Sequence, residues 1–115
     1  MSKWLSRSLK TAVSGSGPAY VFYFIEAMQQ AAQEMGLSAE QGSALALATF
    51  TGAAQLAAQS TESVALLRER VTSKGGTTHA AICSMEESGI KEGIILAMKA
   101  AAARGKMLGE ELGGE

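Results

Sequence analysis

Aspartate and asparagine are absent from this chain of 115 residues, and cysteine, histidine, proline and tryptophan occur once each. Each shortage closes a possibility. Without Asn-Gly or Asp-Gly the commonest tight hairpin signals are missing, and without aspartate there is no loop of the kind that holds calcium. One cysteine and one histidine do not make a structural zinc site, so no metal centre is expected. Cys83 has no internal disulfide partner; set among Ala81, Ile82 and Met85, it reads as a small buried apolar residue in a cytoplasmic protein. His79 has no aspartate to orient it, so neither a Ser-His-Asp nor a Cys-His catalytic set is supplied, and it reads as structural or as the rim of a site. Ten basic and eleven acidic residues leave a net charge of −1, with no basic stripe to suggest nucleic acid or anionic lipid as a partner. The first residues do not follow the charged-then-apolar pattern of a signal peptide, so none is expected.

What is present is a helical vocabulary. Alanine, leucine, glutamate, glutamine and methionine dominate, and an apolar content of 47% is enough for one core in one domain. The chain is expected to be all-α, with about five helices. Ser14-Gly15-Ser16-Gly17-Pro18 opens the first long one, with Pro18 at the first helical position, where its missing N–H costs nothing. Tyr20, Phe24, Met28, Ala31 and Met35 follow the helical period, and Gly36 ends the run. Gly15 and Gly17 invite comparison with the dinucleotide fingerprint, but Tyr20 stands where the third glycine belongs and no strand precedes it. No Rossmann domain is expected in this chain.

Ser38 and Gln41 form a capping box at the start of the second helix, which runs to about Gln59. The 21 positions from Gln41 to Thr61 carry no charge. Only Leu45, Leu47, Phe50 and Leu56 are large apolar side chains there, too few for a membrane span. A helix without a solvated face belongs in a buried centre. Between Thr11 and Thr61 the charges are Glu26, Glu34 and Glu40 alone. These cannot cover two helices of a lone small monomer, so an interface between copies is expected. A short third helix spans about Glu62 to Arg70, capped by Thr61, and a fourth runs from about Thr78 to Ser88, stopping at Gly89. The fifth, about Ile90 to Leu112, spaces Ile90, Ile94, Met98, Ala101, Gly105, Leu108 and Leu112 as a packing seam, with lysines and glutamates on a solvated face. Residues 1–12 read as a leader, a short amphipathic turn or the remnant of an inter-domain segment, and 13–115 as one helical domain.

Between the third and fourth helices lies Val71-Thr72-Ser73-Lys74-Gly75-Gly76-Thr77-Thr78-His79, where hydroxyl side chains and paired glycines gather without an apolar period. Gly75 and Gly76 allow a sharp turn and close approach to a ligand, and Thr77 or Thr78 suits an N-cap. A helix N-terminus offers N–H donors and the positive end of the dipole, so the expected guest is an anion, carboxylate or phosphate. The same residue types also make plain capping turns. Local sequence leaves both readings open.

Ala12 to Phe22 (Ala-Val-Ser-Gly-Ser-Gly-Pro-Ala-Tyr-Val-Phe), Glu26-Ala27, Gly52-Ala53-Ala54, Leu67-Arg68 and above all Val71 to Thr78 together resemble the C-terminal domain of pyrroline-5-carboxylate reductase. The likeness spans about Ala12 to Leu112, with the two long motifs in order at the family's separation. The resemblance implies an enzyme that reduces the C=N bond of 1-pyrroline-5-carboxylate with NADPH or NADH to L-proline, the last step of proline biosynthesis. It implies a helical domain that interlocks with a second copy into a homodimer, with dimers assembling further into rings, and a glycine-threonine loop that holds the small-molecule substrate. Carried onto this chain, Gly75 shapes the loop. The substrate carboxylate meets the N–H groups of Gly76, Thr77 and Thr78 and the Ser73 hydroxyl, and Thr78 is the catalytic residue, hydrogen-bonding the ring nitrogen as it gains a proton.

Two departures stand out. Lys74 occupies a position where the commonest family loop has proline, and the family's Rossmann domain has no counterpart in residues 1–12. NADP or NAD therefore belongs to the full-length enzyme; none is expected to bind this chain alone, which is expected to be inactive. The alternative is a non-catalytic helical oligomerisation module that has kept the scaffold and lost the chemistry.

Overall fold

A computed structural model describes residues 3–111. The elements are α1 (Lys3–Lys10), a π-helical segment (Thr11–Gly15), α2 (Gly17–Glu34), α3 (Ala39–Gln59), α4 (Val64–Arg70), α5 (Thr77–Glu87) and α6 (Ile90–Glu111). The chain is all-α. The five expected helices correspond to α2–α6, and α1 is an additional helix in the stretch read as a leader or short turn. Leu112, the last residue of the expected seam, lies outside the described residues. The helices fall into two compact units. One holds α1, the π-helical segment, the start of α2, the end of α5 and α6; the other is residues 22–83.

In the first unit α1 lies against the C-terminal half of α6. Ser8 is 1% exposed, and its hydroxyl donates to the Ala102 carbonyl at 2.5 Å. A Cβ added at Gly105 would lie 2.8 Å from the Ser8 Oγ, so glycine is what lets the two helices meet at this point. Gly109, one turn on, is buried. The seam read from spacing is thus covered only in part. Ala101 and Gly105 are half-buried, whereas Ile90, Ile94 and Leu108 remain exposed. The cause is geometric: an eight-residue helix is about 12 Å long and covers only about two turns of its neighbour.

The chain leaves α1 through the π-helical segment, whose wider turn shows in the bond from the Ser16 N–H to the Thr11 carbonyl, five residues back, at 2.8 Å. Ala12 is buried there, and the Tyr20 hydroxyl donates to its carbonyl at 2.9 Å. Tyr20 therefore acts through its polar tip, besides belonging to the apolar stripe. α2 begins at Gly17, one residue ahead of Pro18.

In the second unit α2 and α3 form an antiparallel hairpin. Gly36, at φ +112°, closes α2 in a Schellman motif, the Leu37 N–H donating to the Ala32 carbonyl and the Gly36 N–H to the Gln33 carbonyl. The capping box follows as read: the Gln41 N–H donates to the Ser38 Oγ and the Ser38 N–H to the Gln41 Oε1, both at 3.1 Å. Successive cross-contacts run in opposite directions along the two helices. A Cβ at Gly42 would meet the Ala32 Cβ at 3.1 Å, Gln29 donates to the Ser43 hydroxyl at 3.2 Å, and Phe24 packs edge-on against Phe50 at 5.4 Å. Along α3 only Gly42 and Ala46 are buried. Leu45, Leu47 and Leu56 stay exposed. The buried centre expected for this chargeless helix is therefore supplied by its own chain along one edge only.

The N-cap of α4 is Ser63, not Thr61, its Oγ accepting the Leu66 N–H at 3.2 Å. The reason lies just upstream, where the Ser60 hydroxyl takes the Glu62 N–H at 3.0 Å and holds the chain in a turn. Glu62 in turn pairs with Arg70 at 2.7 Å. No helix among the described residues is long and apolar enough to cross a membrane.

Candidate anion-binding loop

The loop begins where α4 stops. The Thr72 hydroxyl turns back to the Arg68 carbonyl at 2.5 Å, and the Thr72 N–H donates to the Glu69 carbonyl, so Thr72 closes the helix rather than lining the loop. Ser73 to Gly76 then form a tight turn. The Gly76 N–H donates to the Ser73 carbonyl at 3.0 Å, and Gly75, the third residue, has φ +79°, the pattern of a type II turn. Lys74 occupies the second position, which suits proline on geometric grounds.

The next bond starts α5. The Ala80 N–H donates to the Gly76 carbonyl at 3.1 Å, so Gly76 is the N-cap and α5 begins at Thr77. The cap expected at Thr77 or Thr78 falls one residue earlier because the turn already points the Gly76 carbonyl along the helix. Thr77, Thr78 and His79 are then the first three helical residues, whose N–H groups have no intrahelical acceptor and face the positive end of the dipole.

Of the five residues singled out from the sequence, Ser73, Gly75, Gly76, Thr77 and Thr78, the turn brings all onto one short path. Their roles are not uniform. The Gly76 N–H, expected as an anion donor, is engaged inside the turn, which leaves Thr77 and Thr78 as backbone donors and adds His79, whose N–H was not singled out. The helix start, one residue earlier than read, is the signal that finds it. Gly76 is half-buried, and a Cβ there would press on the Ser73 carbonyl oxygen at 3.3 Å. Ser73, Lys74, Gly75, Thr77 and Thr78 are exposed. The His79 ring approaches the Cys83 thiol one turn on, Nε2 to Sγ 3.5 Å. Cys83 is half-buried rather than fully buried.

Among the described residues no three His, Cys or Glu side chains gather as a metal site. These residues contain no strand, and Gly15 and Gly17 sit at the junction of the π-helical segment with α2.

Residues 8–108 match the family model described as pyrroline-5-carboxylate reductase dimerisation. A pyrroline-5-carboxylate reductase of Pseudomonas aeruginosa is 50% identical over 103 residues, covering 90% of this chain and 38% of the relative. Pyrroline-5-carboxylate reductase 2 of Bacillus subtilis is 42% identical over 104 residues, covering 90% of this chain and 37% of the relative. Among solved structures, the pyrroline carboxylate reductase of Plasmodium falciparum with NADP bound superposes with a TM-score of 0.87 at 35% identity, over 90% of this chain and 42% of that one. The Coxiella burnetii pyrroline-5-carboxylate reductase superposes with a TM-score of 0.88 at 42% identity, over 94% and 40%. The chain spans about two fifths of the length of these relatives.

Proposed function

Because the chain belongs to the pyrroline-5-carboxylate reductase dimerisation family, we propose that it is the C-terminal domain of such a reductase. The enzyme reduces 1-pyrroline-5-carboxylate to L-proline with NADPH or NADH in the cytoplasm, and this domain holds the substrate. The observation that carries the reading is the Ser73–Gly76 turn leading straight into the first turn of α5. The ring carboxylate sits against the N–H groups of Thr77 and Thr78, with that of His79 alongside and the Ser73 hydroxyl as a further donor. Gly75 and Gly76 keep the backbone bare so that the ring approaches closely. The Thr78 hydroxyl hydrogen-bonds the ring nitrogen and orients it while it gains a proton; a threonine is too weak an acid to supply that proton itself.

The described residues supply no strand-turn-helix of the kind that holds a dinucleotide, so we assign the cofactor to the Rossmann domain of the full-length enzyme and expect the chain alone to have neither reductase activity nor affinity for NADPH. Saturable binding of NADPH in a calorimetric titration would overturn that assignment. Two copies pair through their exposed apolar faces into a homodimer, the unit from which larger rings are built.

The loop assignment is tested by titrating the chain with L-proline while following its amide resonances. Shifts centred on Thr77, Thr78 and His79 are expected, together with their loss in Gly76→Val, which crowds Ser73. In a whole reductase carrying this domain, Thr78→Ala lowers turnover. If the shifts fall elsewhere and both substitutions leave kinetics unchanged, the loop is only a capping turn and the domain an oligomerisation module.

A further inference from the structure

We propose that Lys74 makes the loop selective for a ring carboxylate whose nitrogen is uncharged over one whose nitrogen is cationic, and so favours substrate over product. The inference rests on the loop reading above. Lys74 is exposed at the tip of the Ser73–Gly76 turn, next to the Ser73 hydroxyl and three residues before Thr77, and no ion pair among the described residues holds it. Arg70, the preceding cation in the sequence, is engaged by Glu62 at 2.7 Å. The turn itself does not call for lysine, because its second position suits proline. The charge is therefore the distinguishing property of this side chain, and a flexible four-carbon stem lets the ammonium range over the approach to the first turn of α5.

The chemistry of the ring supplies the selectivity. Adding a hydride equivalent to carbon and two protons to nitrogen turns a neutral imine into a secondary ammonium. The substrate with a neutral ring nitrogen is a net monoanion; the product is a zwitterion whose two charges lie a few ångströms apart and largely cancel at a distance. For an ammonium taken at about 8 Å from the carboxylate, an effective dielectric of about 45–80, close to that of water, favours the monoanion about two- to fivefold. Salt removes this preference, because the separation is comparable to the Debye length.

Cyclopentanecarboxylate and L-proline serve as probes, the first a ring monoanion without a charged nitrogen, the second the zwitterion. Their affinities are measured by amide shifts of the full 115-residue chain at about 0.05 M and about 0.5 M NaCl, where screening differs severalfold. At low salt Lys74→Gln is expected to weaken cyclopentanecarboxylate about two- to fivefold and to leave L-proline nearly unchanged. The difference disappears at high salt; Lys74→Arg restores it, and Lys74→Pro behaves like Lys74→Gln. An equal change for both probes, or an effect indifferent to salt, overturns the proposal while the loop reading stands. If neither probe moves the Thr77 and Thr78 amides of the unmodified chain, both readings fall together.

Discussion

Gly105→Ala tests the meeting of α1 and α6, because the sign of its effect depends on one atom 97 positions away. The added Cβ would lie 2.8 Å from the Ser8 Oγ but 3.7 Å from the Ser8 Cβ. The first distance is a clash and the second is ordinary contact. Relieving the clash means either moving α1 outward or rotating the Ser8 hydroxyl off the Ala102 carbonyl, at a cost of about 1–3 kcal/mol for overpacking. Replacing glycine by alanine inside a helix returns about 1 kcal/mol of propensity. Gly105→Ala should therefore destabilise the chain by about 1 kcal/mol. In a Ser8→Ala background the obstructing oxygen is gone, and the same substitution should stabilise by about 1 kcal/mol. The coupling between the two sites is then about 2 kcal/mol, well above the few tenths that separate independent positions. Urea unfolding of the four variants followed by circular dichroism measures it, at one fixed protein concentration because association would add to the apparent stability. If Gly105→Ala shifts stability in the same direction and by the same amount in both backgrounds, α1 does not pack on α6 through Ser8.

Two further outcomes follow from the caps and the apolar surface. Ser63→Ala should lower stability by about 1 kcal/mol in the same unfolding assay, since it removes the acceptor of the Leu66 N–H. Thr61→Ala should change it by less than about 0.5 kcal/mol, and a reversed ranking would return the cap to Thr61. Leu56 is 54% exposed on α3, so Leu56→Arg leaves the chain's own packing intact. It should nevertheless convert a species of at least twice 11.9 kDa into one of 11.9 kDa by light scattering at micromolar concentration. A sharply monomeric unmodified chain with cooperative unfolding would refute the pairing of apolar faces.

What could be read from the sequence was what a few neighbouring residues decide among themselves. Ser38 with Gln41, and the glycines at 36, 75 and 89 that carry positive φ, were legible because a capping box or a left-handed residue is settled within one turn of chain. The cap of α4 was misplaced by two residues because Thr61 and Ser63 are equally good caps, and the choice falls to the Ser60 hydroxyl holding the Glu62 N–H. At the loop the residue types pointed correctly to a tight turn before a helix. The loss of the Gly76 N–H to the Ser73 carbonyl was not visible, since composition does not say which donors a turn consumes. The π-helical segment and α1 were least legible. Both depend on distant groups, the Tyr20 hydroxyl on the Ala12 carbonyl and Ser8 on Ala102, and a helix of eight residues is too short to be secured by propensity alone.

The chargeless stretch from Gln41 to Thr61 marks a different limit. Its composition led to the expectation of a buried centre covered by a second copy, and the chain by itself buries only Gly42 and Ala46 of α3. In the second unit Phe22 is 68% exposed, Tyr23 77% and Met35 80%, beside the exposed leucines of α3. A hydrophobic pattern records the area that is to leave water in the working protein, whereas the contacts of one chain record only the part that chain removes by itself. The difference between the two is the apolar surface that this chain leaves exposed by itself. Gly52 stands in mid-helix of the same α3, and its added Cβ would touch nothing within 4 Å in the single chain. An interior glycine that costs about 1 kcal/mol of helix propensity and packs against nothing is a poor choice for a lone monomer. The pairing of copies proposed above would give it a point of close approach, as Gly42 has against Ala32 within the chain.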